Sequence, residues 1–449
     1  MAGRDFALIK RAMRHELDPR NFGAAGDGVT NDTAGVKAAI NEAISLGADV
    51  DLGGRNYLVD TLDFDGSFFG IKNGTLIASD NIPDDGAILL SLSGANADDD
   101  DDVNQPLLDA IYGSGVYSVR TSVVGSLEGV HIDNVTFVGN ANAIRALWAT
   151  RFTRGCRVTG CYFDGIDGAG VVLNGSWSFS LIHNFYDGAG VAYELGLTGN
   201  GEGAGAIAVN APDIVGNELT GGTSGLIWNF GAGGAVVGNR FEFLTLDGFA
   251  SQSVTGITVI GNYFEDCDGD NLDMGGTNGT DFADGWWVIG NHFNNESGGG
   301  HNIRLDGVKN CRIGPNYFGG TRTQHYFIPS GGGGANVLQN HIWVPAISST
   351  YITNSSELSE TTNFVTLSET TLTVVAPFVT ARSGLLVGTG TLSPAAIAEF
   401  DSATQGVLLP RLTTTERDAI SSPPDGLLIY NITTDKLTIR ANGAWAEVH

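Results

Sequence analysis

Asn239-Arg240-Phe241, Asn262-Tyr263-Phe264, Asn291-His292-Phe293 and Asn316-Tyr317-Phe318 are copies of one unit, Asn-x-aromatic, and their spacing decides the fold. Asn184-Phe185-Tyr186 is a further copy. Asn217-Glu218-Leu219 has Leu in the aromatic slot, Cys161-Tyr162-Phe163 has Cys in the Asn slot, and Val135-Thr136-Phe137 is a degenerate first copy. The third positions fall at 137, 163, 186, 219, 241, 264, 293 and 318, in steps of 26, 23, 33, 22, 23, 29 and 25 residues. A step near 23 with occasional excess describes a solenoid with loops inserted on some coils. Stacked coils repeat each position about 4.8 Å along the axis. Asn tolerates the left-handed backbone of a tight corner, and its amide can bond main chain there. The aromatic residue then stacks inward. The expectation is a right-handed, single-stranded parallel β-helix over residues 51–344, each coil being three short strands. An antiparallel sandwich would not hold one register through eight copies.

Composition agrees. Of 449 residues, 65 are Gly and 12 Pro, and the 42% hydrophobic content supports a large core. No stretch approaches the roughly 20 apolar residues of a membrane span. The first residues lack the apolar core of a signal peptide. Fifty acidic residues face 23 basic ones, a net charge of −27. A nucleic-acid binder needs clustered Lys and Arg to displace counterions, so that class is excluded. Cys156, Cys161, Cys267 and Cys311 have no CxxC spacing and read as buried free thiols.

Upstream of the repeat, residues 1–20 carry the one locally basic stretch, Arg4, Lys10, Arg11, Arg14 and Arg20, and an apolar stripe of Phe6, Ile9 and Met13 that predicts a short amphipathic helix. Within a cap over 21–50, a helix is expected at 33–46, burying Val36, Ile40, Ala43 and Ile44, with Asn31 and Asp32 at its N-cap and Gly47 at its C-cap. Downstream, residues 345–385 read as linking β segments. Residues 386–449 hold strands at Leu427–Tyr430 and Lys436–Ile439 and a hairpin dipeptide, Asn442-Gly443. A module this small is too poor in core to stand alone, which points to trimerisation.

Two segments resemble known families. Asp18-Pro19-Arg20-Asn21-Phe22-Gly23-Ala24-Ala25-Gly26-Asp27-Gly28-Val29-Thr30-Asn31-Asp32-Thr33 resembles the N-terminal cap of the pectate-lyase-like superfamily as found in phage tailspikes. The likeness is close over residues 18–80 and one of repeat type over 130–330. Thr404 to Ile420, Pro424 to Asn431 and Asn442 to Trp445 resemble the distal module of phage tail fibres and tailspikes. The resemblance implies a homotrimeric virion protein made in the host cytoplasm without a signal peptide. It would dock on other tail proteins, for which residues 1–20 are the candidate, and bind host surface polysaccharide. The superfamily contains lyases, hydrolases and non-catalytic binders, so three roles stay open: glycan receptor binding, glycan depolymerisation, and a structural virion part. The calcium and arginine motifs of pectate lyases are not recognisable here.

Aligning coils on the aromatic slot yields candidate chemistry. Glu242 and Glu265 each follow it by one residue, Asp247 and Asp270 by six. If the coils are in register, each pair is stacked about 5 Å apart, and one carboxyl of a pair should hold its proton. A protonated acid beside an ionised partner is the equipment of a glycosidase. The same residues are also ordinary turn formers, Asp247-Gly248 and Gly269-Asp270-Asn271. Asp266, Asp268 and Asp270 alternate as in a Ca²⁺ loop, without the Gly and Glu that an EF-hand requires at its sixth and twelfth positions. Trp286 and Trp287 are the glycan-stacking candidates. Adjacent on a strand, they point to opposite faces, so one is expected outside. The long step from Phe264 to Phe293 would carry them, with Asp281 and Asp284, on a loop walling the groove.

Overall fold

A computed structural model describes residues 16–82, 88–93, 126–142, 144–196, 208–275, 283–295, 300–320, 325–327 and 407–448, together with the backbones of strands 341–345, 352–353, 364–368, 385–388 and 398–401. The chain divides into two units, Met1–Leu372 and Thr373–His449.

The first unit is a parallel β-helix. Its coils feed a 22-stranded and a 14-stranded sheet whose pairings are parallel throughout. Each complete coil contributes a first strand such as Thr258–Ile260, a corner at Gly261 and Asn262, a second strand such as Tyr263–Glu265, a second corner, and a third strand such as Leu272–Met274 in the other sheet. The aromatic slot stacks as the spacing predicts. Phe137, Phe163, Tyr186, Leu219, Phe241, Phe264, Phe293 and Phe318 are successive register partners. Ring centroids of Phe241, Phe264 and Phe293 lie 4.7 and 4.9 Å apart, nearly parallel. First strands add an aliphatic row, from Val50 through Ile132 and Val236 to Ile313, and third strands add Leu226, Phe249, Leu272, Ile303 and Tyr326. The insertion steps fall in the second corner or beyond, so they leave the stack intact.

The repeated Asn does not take the left-handed conformation expected of it. That role belongs to the residue before it: Gly216, Gly238, Gly261 and Gly290 at φ of 64 to 68°, and His183 at 53°. The Asn side chain instead turns inward, is buried, and builds a ladder. Asn262 Oδ1 accepts from Asn239 N (2.9 Å) and Nδ2 (3.0 Å), while Asn262 Nδ2 donates to Val236 O (2.9 Å) and Asn291 Oδ1 (2.9 Å). Asn184, Asn217, Asn239 and Asn291 repeat the pattern. Cys161 ends it: its backbone N–H donates to Asn184 Oδ1, but its side chain offers no amide to the coil before.

At the N-terminal end, helix α1, Thr33–Leu46, lies on strands 49–51, 56–59 and 62–65 and covers what would otherwise be an open coil. It buries Gly35, Val36, Ala39, Ile40 and Ala43. Asp32 holds the N-cap position, but its carboxylate accepts from Ala25 N and Gly26 N in the preceding loop and tethers that loop to the helix. Gly47 closes the helix at φ 64°. Residues 16–20 belong to this cap rather than preceding it, because Glu16–Leu17 pairs with Asp49–Val50. The helix expected near residues 6–13 lies outside the described residues. The parallel ladder also runs past residue 344, since His341–Pro345 pairs with Phe364–Ser368.

In the second unit, Leu385–Gly388 pairs in parallel with Ala398–Asp401. A four-stranded sheet follows, Arg411–Leu412, Leu428–Asn431, Lys436–Ala441 and Ala444–Glu447, the last three antiparallel. Asn442 and Gly443, at φ 51 and 74°, make its hairpin turn. Short helix α2, Thr414–Asp418, is closed by a capping box between Thr413 and Glu416. Among all described residues, no helix is long and apolar enough to cross a membrane.

Candidate active site

The second corner, after strand 240–242 or 263–265, aims charged side chains at the outer face where the third strands begin. Asp247 and Asp270 meet there in successive coils: Asp270 N donates to Asp247 Oδ1 at 2.7 Å. Asp270 Oδ1 in turn accepts from His301 N (2.6 Å) and faces His301 Nδ1 at 2.8 Å. The His301 ring stacks on Phe327 at 4.0 Å, which fixes its plane. One row further along the third strands, Asp273 is the register partner of Arg304. The Arg304 guanidinium stands among three carboxylates, 3.8 Å from Asp270 Oδ2, 3.7 Å from Asp273 Oδ1 and 3.6 Å from Asp306 Oδ2. These are ion-pair distances, too long for direct hydrogen bonds. Asp273 Oδ1 and Arg304 Nε have no hydrogen-bond partner among the described residues.

This arrangement separates the carboxyls by protonation. Burial, reinforced by Asp270, Asp247 and Asp306 and only partly offset by Arg304, pushes Asp273 up to about 8. Burial also raises Asp247 and Asp306. At Asp270 burial works in the same direction, but the two His301 hydrogen bonds and the Arg304 charge outweigh it and hold the carboxyl below the usual carboxylate range. At neutral pH the site thus holds a protonated Asp273 close to an ionised Asp270, the division of labour that acid–base chemistry on a glycosidic bond requires.

Beneath the site runs a second buried amide ladder. Asn271 Nδ2 donates to Asn302 Oδ1 (2.8 Å), and Asn302 Nδ2 lies 2.7 Å from His325 Nδ1. Burial pushes the His325 imidazole down to about 4, so it is neutral and Nδ1 accepts. The backbone carrying Asp270, Asp273 and Arg304 is fixed from below.

Glu242 and Glu265 are direct register partners on the second strands. They form a cluster of their own: after burial, the charges acting on Glu242 are Glu218, Arg240 and Glu265, whereas those acting on Asp247 are Asp270 and Arg304. The four carboxyls therefore do not form one site. Trp286 is buried, its Nε1 bonded to Val254 O at 2.8 Å and its ring stacked on Phe249, so it fills the core and cannot touch a sugar. Trp287 is exposed with Arg312 over its ring, but it stands on a first strand, whereas the aspartates follow a second strand. Asp284 accepts from Asn310 Nδ2 (2.9 Å) instead of walling the groove. Asp281 lies outside the described residues. Among the described residues no group of three or more His, Cys, Asp or Glu side chains is arranged to hold a metal ion. Asp266, Asp268 and Asp270 do not converge: Asp268 is exposed, and Asp270 is buried and turned to His301.

Residues 386–449 match the sequence profile of the phage tail like trimerisation region. No curated protein matches the chain. Among solved structures, the Dettilon tailspike protein superposes with a TM-score of 0.53 at 14% identity, covering 78% of this chain and 68% of that one. The surface adhesin PfbA of Streptococcus pneumoniae gives 0.52 at 12% identity, covering 97% and 98%. The enzymatically active domain of tailspike protein 2 from bacteriophage CBA120 gives 0.50 at 12% identity, covering 73% and 47%. The chain thus joins a parallel β-helix of the kind seen in tailspikes to a C-terminal phage tail like trimerisation region.

Proposed function

We propose that this chain is a phage virion tailspike that binds the surface polysaccharide of its host and hydrolyses it at Asp273 and Asp270. The observation that carries the reading is a pair of carboxyls sharing one guanidinium, Arg304 at 3.8 Å from Asp270 and 3.7 Å from Asp273, in surroundings that push Asp273 up and hold Asp270 down. Protonated Asp273 gives its proton to the glycosidic oxygen as the bond to the anomeric carbon breaks. Ionised Asp270 either takes a proton from the attacking water or attacks the anomeric carbon itself, in which case water releases the sugar in a second step. His301 and Arg304 hold Asp270 in its charged form. The match to a trimerisation region supports a homotrimeric working unit, and the tail context supports a position on the virion. Residues 1–15 are the attachment segment for other tail proteins. Deleting them while keeping Glu16 should leave the β-helix folded and abolish incorporation into particles; normal incorporation would refute that role.

A second reading, receptor binding without cleavage, is favoured by the outward row Tyr263, His292 and Tyr317, whose rings meet edge to face at 5.1 and 4.3 Å beside Glu265 and Asn294. Reducing-end release from purified host surface polysaccharide decides between the two. Release by the wild type and none by Asp273→Asn or Asp270→Asn supports hydrolysis. Tight binding without release by the wild type moves the protein to the receptor class.

A further inference from the structure

Phe243 sits in the same second corner as Asp247, in a conformation that its residue type disfavours. The register aligns Thr220, Glu242 and Glu265, so Gly221, Phe243 and Asp266 occupy one place on three successive coils. All are left-handed, at φ 79, 55 and 48°. The same corner uses Gly165 at φ 60° three coils before Phe243. Glycine adopts this conformation freely and Asp tolerates it, but a Phe there is an outlier. Burial does not compensate, since the residue is 56% exposed. Three residues on, Leu246 is 55% exposed as well. On the next coil Gly269 packs against the Asp247 carboxylate and the Leu246 backbone: a Cβ there would come within 2.4 Å of Asp247 Oδ1 and 2.9 Å of the Leu246 carbonyl carbon. Two apolar side chains of one corner thus face solvent, one of them at a conformational cost, one coil from Asp270.

We infer that Phe243, with Leu246, is a sugar-stacking platform for the polysaccharide acted on at Asp270 and Asp273. The assignment rests on the function proposed above. The C–H face of a sugar ring lies on a flat apolar ring, the chemistry that makes aromatic side chains good anchors where one side is wet. A chain running along the solenoid axis places one ring over the aspartates and its neighbour over the coil below, about 4.8 Å away. Phe243 holds that neighbour and does not touch the reacting bond, so it is a positioning residue.

Phe68 provides the control. It is also left-handed, at φ 62°, and 56% exposed, but it occupies a different corner, before the first strand of its coil. The test compares full-length wild type, Phe243→Gly, Phe243→Trp and Phe68→Gly for melting temperature, trimer mass, polysaccharide binding, and KM and kcat of reducing-end release. Both Gly variants should melt higher, because each relieves the same strain. Only Phe243→Gly should raise KM and weaken binding, roughly five- to tenfold, with kcat little changed, and Phe243→Trp should retain binding. Unaltered binding and KM in Phe243→Gly, while the wild type cleaves, overturns the platform alone. So does a Phe243→Gly trimer that falls apart, which would make Phe243 a subunit contact. A wild type that neither binds nor cleaves the polysaccharide overturns the platform and the functional reading together.

Discussion

Asp273 makes stability depend on pH. Its carboxyl is shifted from an ordinary value near 3.8 to about 8. Below about pH 4 it is protonated folded or unfolded and contributes nothing. Between about 4 and 8 the unfolded chain releases a proton that the folded chain keeps, so stability falls as pH rises through that window. Asp273→Asn removes this penalty and should stabilise the protein by about 1–4 kcal/mol at pH 7 while abolishing cleavage. Asp270 has the opposite sign. Its lowered value supplies stability above the unfolded carboxylate range, which is lost as pH falls through the folded value. Asp270→Asn should therefore destabilise the protein at pH 7, by about 1–3 kcal/mol, and also abolish cleavage. Denaturant titrations of the two variants check the opposed signs, and equal shifts would contradict the protonation assigned here. The pH profile of cleavage should decline through about 8 as Asp273 loses its proton.

At the scale of the coil, the Asn ladder is the repeated unit of stability. Asn262→Ala removes two donors and an acceptor that serves both Asn239 N and Nδ2, and it should cost about 2–4 kcal/mol in denaturant. Cys161 offers the converse. Its buried thiol makes only long contacts to Ile132 O (3.4 Å) and Thr159 O (3.6 Å) where the other coils use an amide. Cys161→Asn extends the ladder by one rung and should stabilise by about 1–2 kcal/mol; a loss of stability would mean that the slot is too tight there. The ladder also explains what the amino-acid order does and does not disclose. The Asn-x-aromatic spacing locates every rung, because the core fixes the register. It does not reveal which residue bends, because both Gly and Asn tolerate left-handed backbone and only the side chain's need to point inward separates them. The site divides in the same way. Asp247 and Asp270 are legible because each lies six residues beyond its aromatic. Asp273 and Arg304 are register partners, yet they lie 9 and 11 residues beyond Phe264 and Phe293, so an insertion of two residues in that corner hides their pairing. Of Trp286 and Trp287 one faces out, as alternation along a strand requires, but alternation does not say which.

The two units of the chain differ in what they bury. The β-helix carries a continuous row of buried aromatic and aliphatic side chains from the cap to Tyr326. In the described part of the C-terminal unit, only Ile429, Asn431 and Thr438 are buried. Val407 and Leu408 are exposed there, Leu408 by 84%, as are Leu428, Ile432 and Val448. Exposed apolar side chains of this kind suit contact with other copies, and the match to a trimerisation region over 386–449 supports that use. Net charge makes the same demand from the other direction. At −27 per chain, copies repel one another, so apolar contact between C-terminal units would have to outweigh that repulsion. The full chain should therefore have three times its 46.9 kDa mass by light scattering, and Leu408→Glu should lower the trimer fraction at micromolar concentration, more steeply at low salt, where repulsion is least screened. Ending the chain at residue 385 should release monomers whose β-helix still melts cooperatively. A truncated protein that stays trimeric at low salt would instead place the assembly contact on the solenoid.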